Sequence, residues 1–176
     1  MKKPKNENRG RLNVLPFLSI AFFVLFLLYP ATTYAGDKAD FSGEWALNED
    51  KSETGESRFG PSKTLKITQA ENSLVIESTR MGRDGEQRNI KREFTLDGIE
   101  KLTEDERGTT KSTASWSEDG KTLTLNSHRK MTRGDQTFEI TTKETWELSS
   151  DGRTLTINSS RSTPRGEMNS VLVYNK

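Results

Sequence analysis

The 176-residue chain contains no cysteine and only one histidine, His128. Without thiols it has no disulfides, no cysteine nucleophile and no thiolate metal ligand. One histidine does not furnish the usual tetrahedral zinc shell, and a serine triad would need that residue as its base. His128 lies on the strand parity opposite to Leu123 and Leu125 and is therefore expected at the surface. Apolar residues are scarce as well, at 30% of the chain. Residues 1–35 take 19 of them, so the other 141 residues hold 34, or 24%. A share that low implies either disorder or a core whose few members are placed with strict periodicity, and the alternation from Phe41 onward selects the second. An excess of charge is also missing: beyond residue 35, 22 basic and 25 acidic residues leave three net negative charges. No general field for nucleic acid or for an anionic membrane results. The run Glu104-Asp105-Glu106 lacks the spaced oxygens and central glycine of a calcium loop and reads as a solvated turn, so no metal or cofactor is expected. Arg133-Gly134-Asp135 spells an adhesion tripeptide, but the same residues make an ordinary hairpin turn.

The front of the chain holds what the rest lacks. Lys2, Lys3, Lys5, Arg9 and Arg11 precede an apolar stretch from Val14 to Tyr29, and Pro30 then leads into small residues ending at Ala35. This order of basic, apolar and small-residue segments is that of a secretory signal peptide cleaved after Ala35. The rival reading is an uncleaved anchor, for which the apolar stretch is short. No cysteine follows to carry a lipoprotein acyl chain. The expectation is a signal peptide over 1–35 and one domain over 36–176, periplasmic or secreted, with no membrane span after cleavage; nothing fixes its oligomeric state.

From Phe41 onward apolar residues alternate with Thr, Ser, Lys, Glu and Asn. Phe41, Gly43, Trp45 and Leu47 share one parity, as do Leu74 and Ile76, Leu123 and Leu125, Leu155 and Ile157, and Leu172 and Tyr174. Period-two alternation places one face of each strand on a core. Threonine and serine supply 35 of these 141 residues and suit extended backbone. Turn signals separate the segments, among them Asp84-Gly85, Asp97-Gly98, Asp119-Gly120 and Asp151-Gly152. The spacing predicts eight to ten hairpin-linked strands, almost no helix, and a long first connection over 49–61. The segment Ser115 to Ser127 is echoed by Thr145 to Ser159, so the repeat unit is a hairpin. A meander of hairpins covers its edges with few apolar residues by closing into an up-and-down barrel.

Phe41-Ser42-Gly43-Glu44-Trp45-Ala46-Leu47-Asn48 resembles the opening strand of calycins, the lipocalin and fatty-acid-binding superfamily, and with Lys51-Ser52 it resembles secreted bacterial lipocalin-like proteins. The resemblance rests on Gly43 and Trp45. It implies an all-β antiparallel barrel with an internal cavity that carries or sequesters a small, mostly apolar molecule. It also implies an arginine late in the chain against Trp45, for which Arg153 and Arg161 are both available.

Several charges sit on the apolar parity. Arg80 lies four residues past Ile76, Arg129 four past Leu125 and Arg161 four past Ile157, on strands that run the same way in a meander. Arg92 falls between Ile90 and Phe94, and Glu144 between Ile140 and Trp146. An inward charge needs a partner, water or a ligand, and arginine suits carboxylate or phosphate. Arg92 and Glu144 are expected to form an internal ion pair. The leading reading is a non-enzymatic barrel whose lumen, lined by Trp45, Trp116, Trp146, Phe94, Phe138 and Ile140 with arginines at one mouth, holds a small amphipathic acid. The alternatives are a filled barrel that works through its outer surface, and an enzyme using Glu144 as a base.

Overall fold

The computed structural model describes Met1 and residues 37–55, 60–82, 85–106 and 108–176. The chain divides into two units, Met1–Tyr34 and Ala35–Lys176. The leader and its cleavage point lie outside the described residues, and all described secondary structure belongs to the second unit. Among the described residues there are ten strands: β1 (Gly43–Leu47), β2 (Thr64–Ala70), β3 (Ser73–Met81), β4 (Gln87–Thr95), β5 (Lys101–Asp105), β6 (Gly108–Trp116), β7 (Thr122–Arg133), β8 (Gln136–Leu148), β9 (Thr154–Thr163) and β10 (Gly166–Asn175). The helical content among them is a single 3-10 turn, Glu49–Lys51. No helix among the described residues is long and apolar enough to cross a membrane.

All ten strands form one antiparallel sheet in the order β4-β3-β2-β1-β10-β9-β8-β7-β6-β5. Consecutive strands pair except β4 with β5, and β1 also pairs with β10, which joins the two ends of the domain. The sheet's edges, β4 and β5, share no ladder, so closure is incomplete where a barrel was expected to remove every edge. Side chains span this seam, with Lys101 of β5 reaching Glu93 of β4 at 3.4 Å. The unpaired edge of β5 is short, at five residues, and charged side chains bridge it to β4.

Alternation selects the core as expected. Trp45, Leu65, Ile67, Leu74, Ile76, Phe94, Ala114, Leu123, Leu125, Trp146, Leu155, Ile157 and Tyr174 are buried on inward faces. These residues crowd one end of the barrel, and the segment before β1 seals that end. Phe41 is fully buried there, stacked on Trp116 at 5.8 Å and edge-on to Trp146 at 5.7 Å. Gln69 clamps the segment, accepting from the Phe41 amide and donating to the Ala39 carbonyl. The Ala39 amide donates to the Gly120 carbonyl across the base.

The sequence echo has a shared hydrogen-bond pattern. In the β6–β7 turn Asp119 accepts from the Ser117 hydroxyl at 2.6 Å and the Lys121 amide at 3.1 Å. In the β8–β9 turn Asp151 accepts from the Ser149 hydroxyl at 2.6 Å and the Arg153 amide at 3.0 Å. Gly120 and Gly152 follow with φ of 69° and 67°, which a Cβ would strain.

Trp45 donates its indole N–H to the Phe41 carbonyl at 2.9 Å. The cation over its ring is Lys176, whose Nζ lies 5.0 Å from the centroid, and not Arg153 or Arg161. Arg153 is exposed and Arg161 faces the lumen. Gly43 makes room for this arrangement: a Cβ there would stand 2.8 Å from the Lys176 Cε, on backbone already at φ 136°.

Candidate ligand cavity

Above the apolar base the lumen opens into a cavity of about 610 Å³. That volume falls in the range of small-molecule sites. Its floor is polar. Arg92 donates through both terminal nitrogens to Glu144, at 2.8 and 3.2 Å, and joins β4 to β8 across the lumen. The Trp146 indole N–H donates to the same carboxylate at 3.0 Å, which ties the ion pair to the core beneath. The Arg92 guanidinium lies 5.9 Å from the Phe94 ring. Burial pulls Arg92 toward deprotonation, but the Glu144 carboxylate more than offsets this and holds its pKa above the ordinary value. The Tyr174 phenol is pushed up to about 12 by burial first and then by the Glu144 charge. It donates to the Ser62 carbonyl at 3.0 Å and so pins the first connection to β10.

The walls carry hydroxyls where the base carries methyls. Ser78, Thr110, Ser112, Ser127, Thr142 and Ser159 line the cavity, interspersed with Ile90, Ile140, Leu172 and Met168. The change occurs along single strands. In β7 the inward residues run Leu123, Leu125, Ser127, Arg129, and in β9 they run Leu155, Ile157, Ser159, Arg161. One strand face thus builds core at one end and polar cavity at the other.

Three arginines stand at this polar level. Arg129 is neutralised by Asp105 of β5, which accepts from its Nη2 at 3.0 and 2.8 Å. The expectation that Glu104-Asp105-Glu106 is merely a solvated turn is corrected for Asp105: all three residues are exposed and both Glu104 and Asp105 border the cavity, but Asp105 closes β5 and holds Arg129 in an ion pair. Arg80 of β3 and Arg161 of β9 stand in no ion pair with a carboxylate among the described residues. Each has a buried Nε that donates to no acceptor there. The Arg80 pKa lies below its ordinary value, first through burial, then through the repulsion of Arg161 and Arg92. Two cations thus stand in one lumen near enough to repel, and neither has an ion-pair partner among the described residues.

The cavity collects Arg80, Arg92, Arg129, Glu144, Arg161, Phe94 and Ile140. Trp116, Trp146 and Phe138, expected to line the lumen, are not among its walls, and neither is Trp45. Trp45 and Trp146 are fully buried in the base, and Trp116 packs against that core through Phe41. The strand pattern leaves room at that end, which the segment before β1 folds under to fill. Phe138 lies nearer the other rim, opposite Met131. Asp105 and the wall hydroxyls were missed, although inward parity was the signal that could have found them, and Tyr174 was read as an inward residue but not as part of the site. His128 is on the outer face with its side chain 42% exposed and 3.6 Å from Glu139. Among the described residues no cluster of His, Cys, Asp or Glu is built to hold a metal.

No protein-family description matches the chain, and no curated protein matches it. Among solved structures it is similar to the zebrafish ileal bile acid-binding protein complexed with cholic acid, at 15% identity and a TM-score of 0.39, over 77% of this chain and 98% of that one.

Proposed function

We propose that the chain is exported, loses residues 1–35, and acts in the periplasm or outside the cell as a non-enzymatic barrel that holds a small amphipathic acid. The leader composition supports export. The observation that carries the binding reading is the pair Arg80 and Arg161, two inward guanidiniums with buried, unpartnered Nε atoms in an open cavity. A half-buried charge without a counter-charge is costly, and an anionic ligand removes that cost. Ile90, Ile140, Leu172 and Met168 offer the same ligand an apolar side. Glu144 spends its oxygens on Arg92 and Trp146, which suits a fixed floor better than a free catalytic base.

The test is a titration of protein purified after expression of the full-length chain. A medium-chain fatty acid should bind, and its neutral alcohol should bind at least about tenfold more weakly, because charge-assisted hydrogen bonds are lost. Binding of neither, or equal binding of both, would overturn the reading and leave the outer surface as the working part.

A further inference from the structure

The unpartnered pair carries two positive charges, whereas a fatty-acid head supplies one negative. Among the described residues six cationic side chains and four carboxylates line the cavity, a balance of two positive charges: Lys91 and Lys101 share Glu93, Arg92 pairs with Glu144, Arg129 pairs with Asp105, and the exposed Glu104 is the fourth carboxylate, so four of the six cations have ion-pair partners. The two left over are Arg80 and Arg161. A single carboxylate would neutralise one and leave the other uncompensated. The donors at this level also outnumber the two oxygens of a carboxylate. Each guanidinium presents a planar fork, and hydroxyls surround both. Ser78 precedes Arg80 by two residues on the same face of β3, Ser159 precedes Arg161 likewise on β9, and Thr142 stands directly across from Arg161 in the β8–β9 ladder. Hydroxyls donate readily to an oxyanion, whereas an alkyl chain gains little from a wall of them.

We infer that the head group this cavity takes is a tetrahedral dianion, a phosphate monoester with a short apolar substituent. This rests on the acid-binding reading and narrows it. Two negative charges match the two free guanidiniums, and three terminal oxygens accept from both forks and the neighbouring hydroxyls. The floor sets the depth of the site. Because the Arg92–Glu144 pair spans the lumen, the head group rests above it at the arginine level, and Ile90, Ile140, Leu172 and Met168 are left for the substituent.

The experiment compares octyl phosphate, octyl sulfate, octanoate and octanol by calorimetry at pH 8, where the phosphate monoester is a dianion. Octyl sulfate has the same shape and tail but one charge fewer. Octyl phosphate should bind at least about tenfold more tightly than octyl sulfate or octanoate. R80M and R161M should each abolish that preference and yet melt, without ligand, no lower than the parent, because each removes a like-charge repulsion; a purely structural arginine would lower the melting temperature. Should either variant fail to fold, R80K and R161K keep the charge but lose the fork, and are expected to retain only part of the preference. Equal affinity for phosphate and sulfate esters would overturn the dianion and leave the acid reading standing. Octanol binding as well as every anion, or no binding at all, would overturn both.

Discussion

Trp45 is held from three directions: its indole N–H donates to the Phe41 carbonyl, its ring lies under Lys176, and its edge is sealed in the apolar base. Replacing it by Ala empties a fully buried aromatic site and should cost about 3 to 5 kcal/mol in chemical denaturation. Gly43 is its necessary neighbour. G43A brings a Cβ onto the Lys176 Cε at positive φ, so it should destabilise by about 1 kcal/mol or more although the residue it adds is small. Tyr174 predicts a pH effect at the alkaline end. Its folded pKa is raised from 10.0 to about 12, so folded and unfolded chains both keep the proton below pH 10 and its contribution is fully present there. As pH rises from 10 to 12 the unfolded chain loses the proton first, and stability falls. Denaturation followed across that window should show the decline in the parent protein and a shallower one in Y174F.

At the scale of elements, the hairpin echo is a working unit. Both turns place an Asp carboxylate against a Ser hydroxyl and a backbone N–H, and these contacts hold the Asp119 and Asp151 pKa values below the ordinary carboxylate value, the serine hydroxyl contributing most. A depressed folded pKa gives stability that is present above the unfolded pKa near 3.8 and is lost as pH falls through the folded value. The double variant D119N/D151N should therefore flatten the acid limb of a melting-temperature profile below about pH 4. Strands β7 and β9 show a second element-level property, the switch from leucine and isoleucine to serine and arginine along one face. The apolar half supplies the core and the polar half the cavity. The exposed seam pair Glu93–Lys101 bridges β4 and β5, and because surface ion pairs are worth about 0 to 1 kcal/mol, E93Q should barely move the melting temperature.

For the whole molecule, scarce apolar residues suffice because a strongly bent ten-stranded sheet concentrates them at one end. That leaves the other end free to be polar, and it is held apart by ion pairs rather than packed shut. Such a cavity couples ligand to fold: a ligand at a hundred times its dissociation constant should add about 2.7 kcal/mol, readable as a rise in melting temperature that grows with concentration. Export has its own measurement. The protein recovered from a secreting bacterial host should begin at or within a few residues of Gly36, and full-length chain embedded in membrane would contradict cleavage.

The all-β class, the strand faces, the hairpin turns and the inward parity of Arg80, Arg92, Arg129, Glu144 and Arg161 were legible in the sequence, because side-chain direction in a strand depends only on local backbone geometry. Parity along a strand does not tell depth in the lumen or what stands opposite. Only the tertiary structure decided that Trp116 and Trp146 belong to the sealed base, because a segment outside any strand folds beneath them. Only it decided that Asp105 neutralises Arg129, that Lys176 rather than an arginine covers Trp45, and that β4 and β5 meet through side chains. Each of these depends on residues distant in the chain meeting across the lumen, the base or the seam, and the closing of the sheet sets those distances.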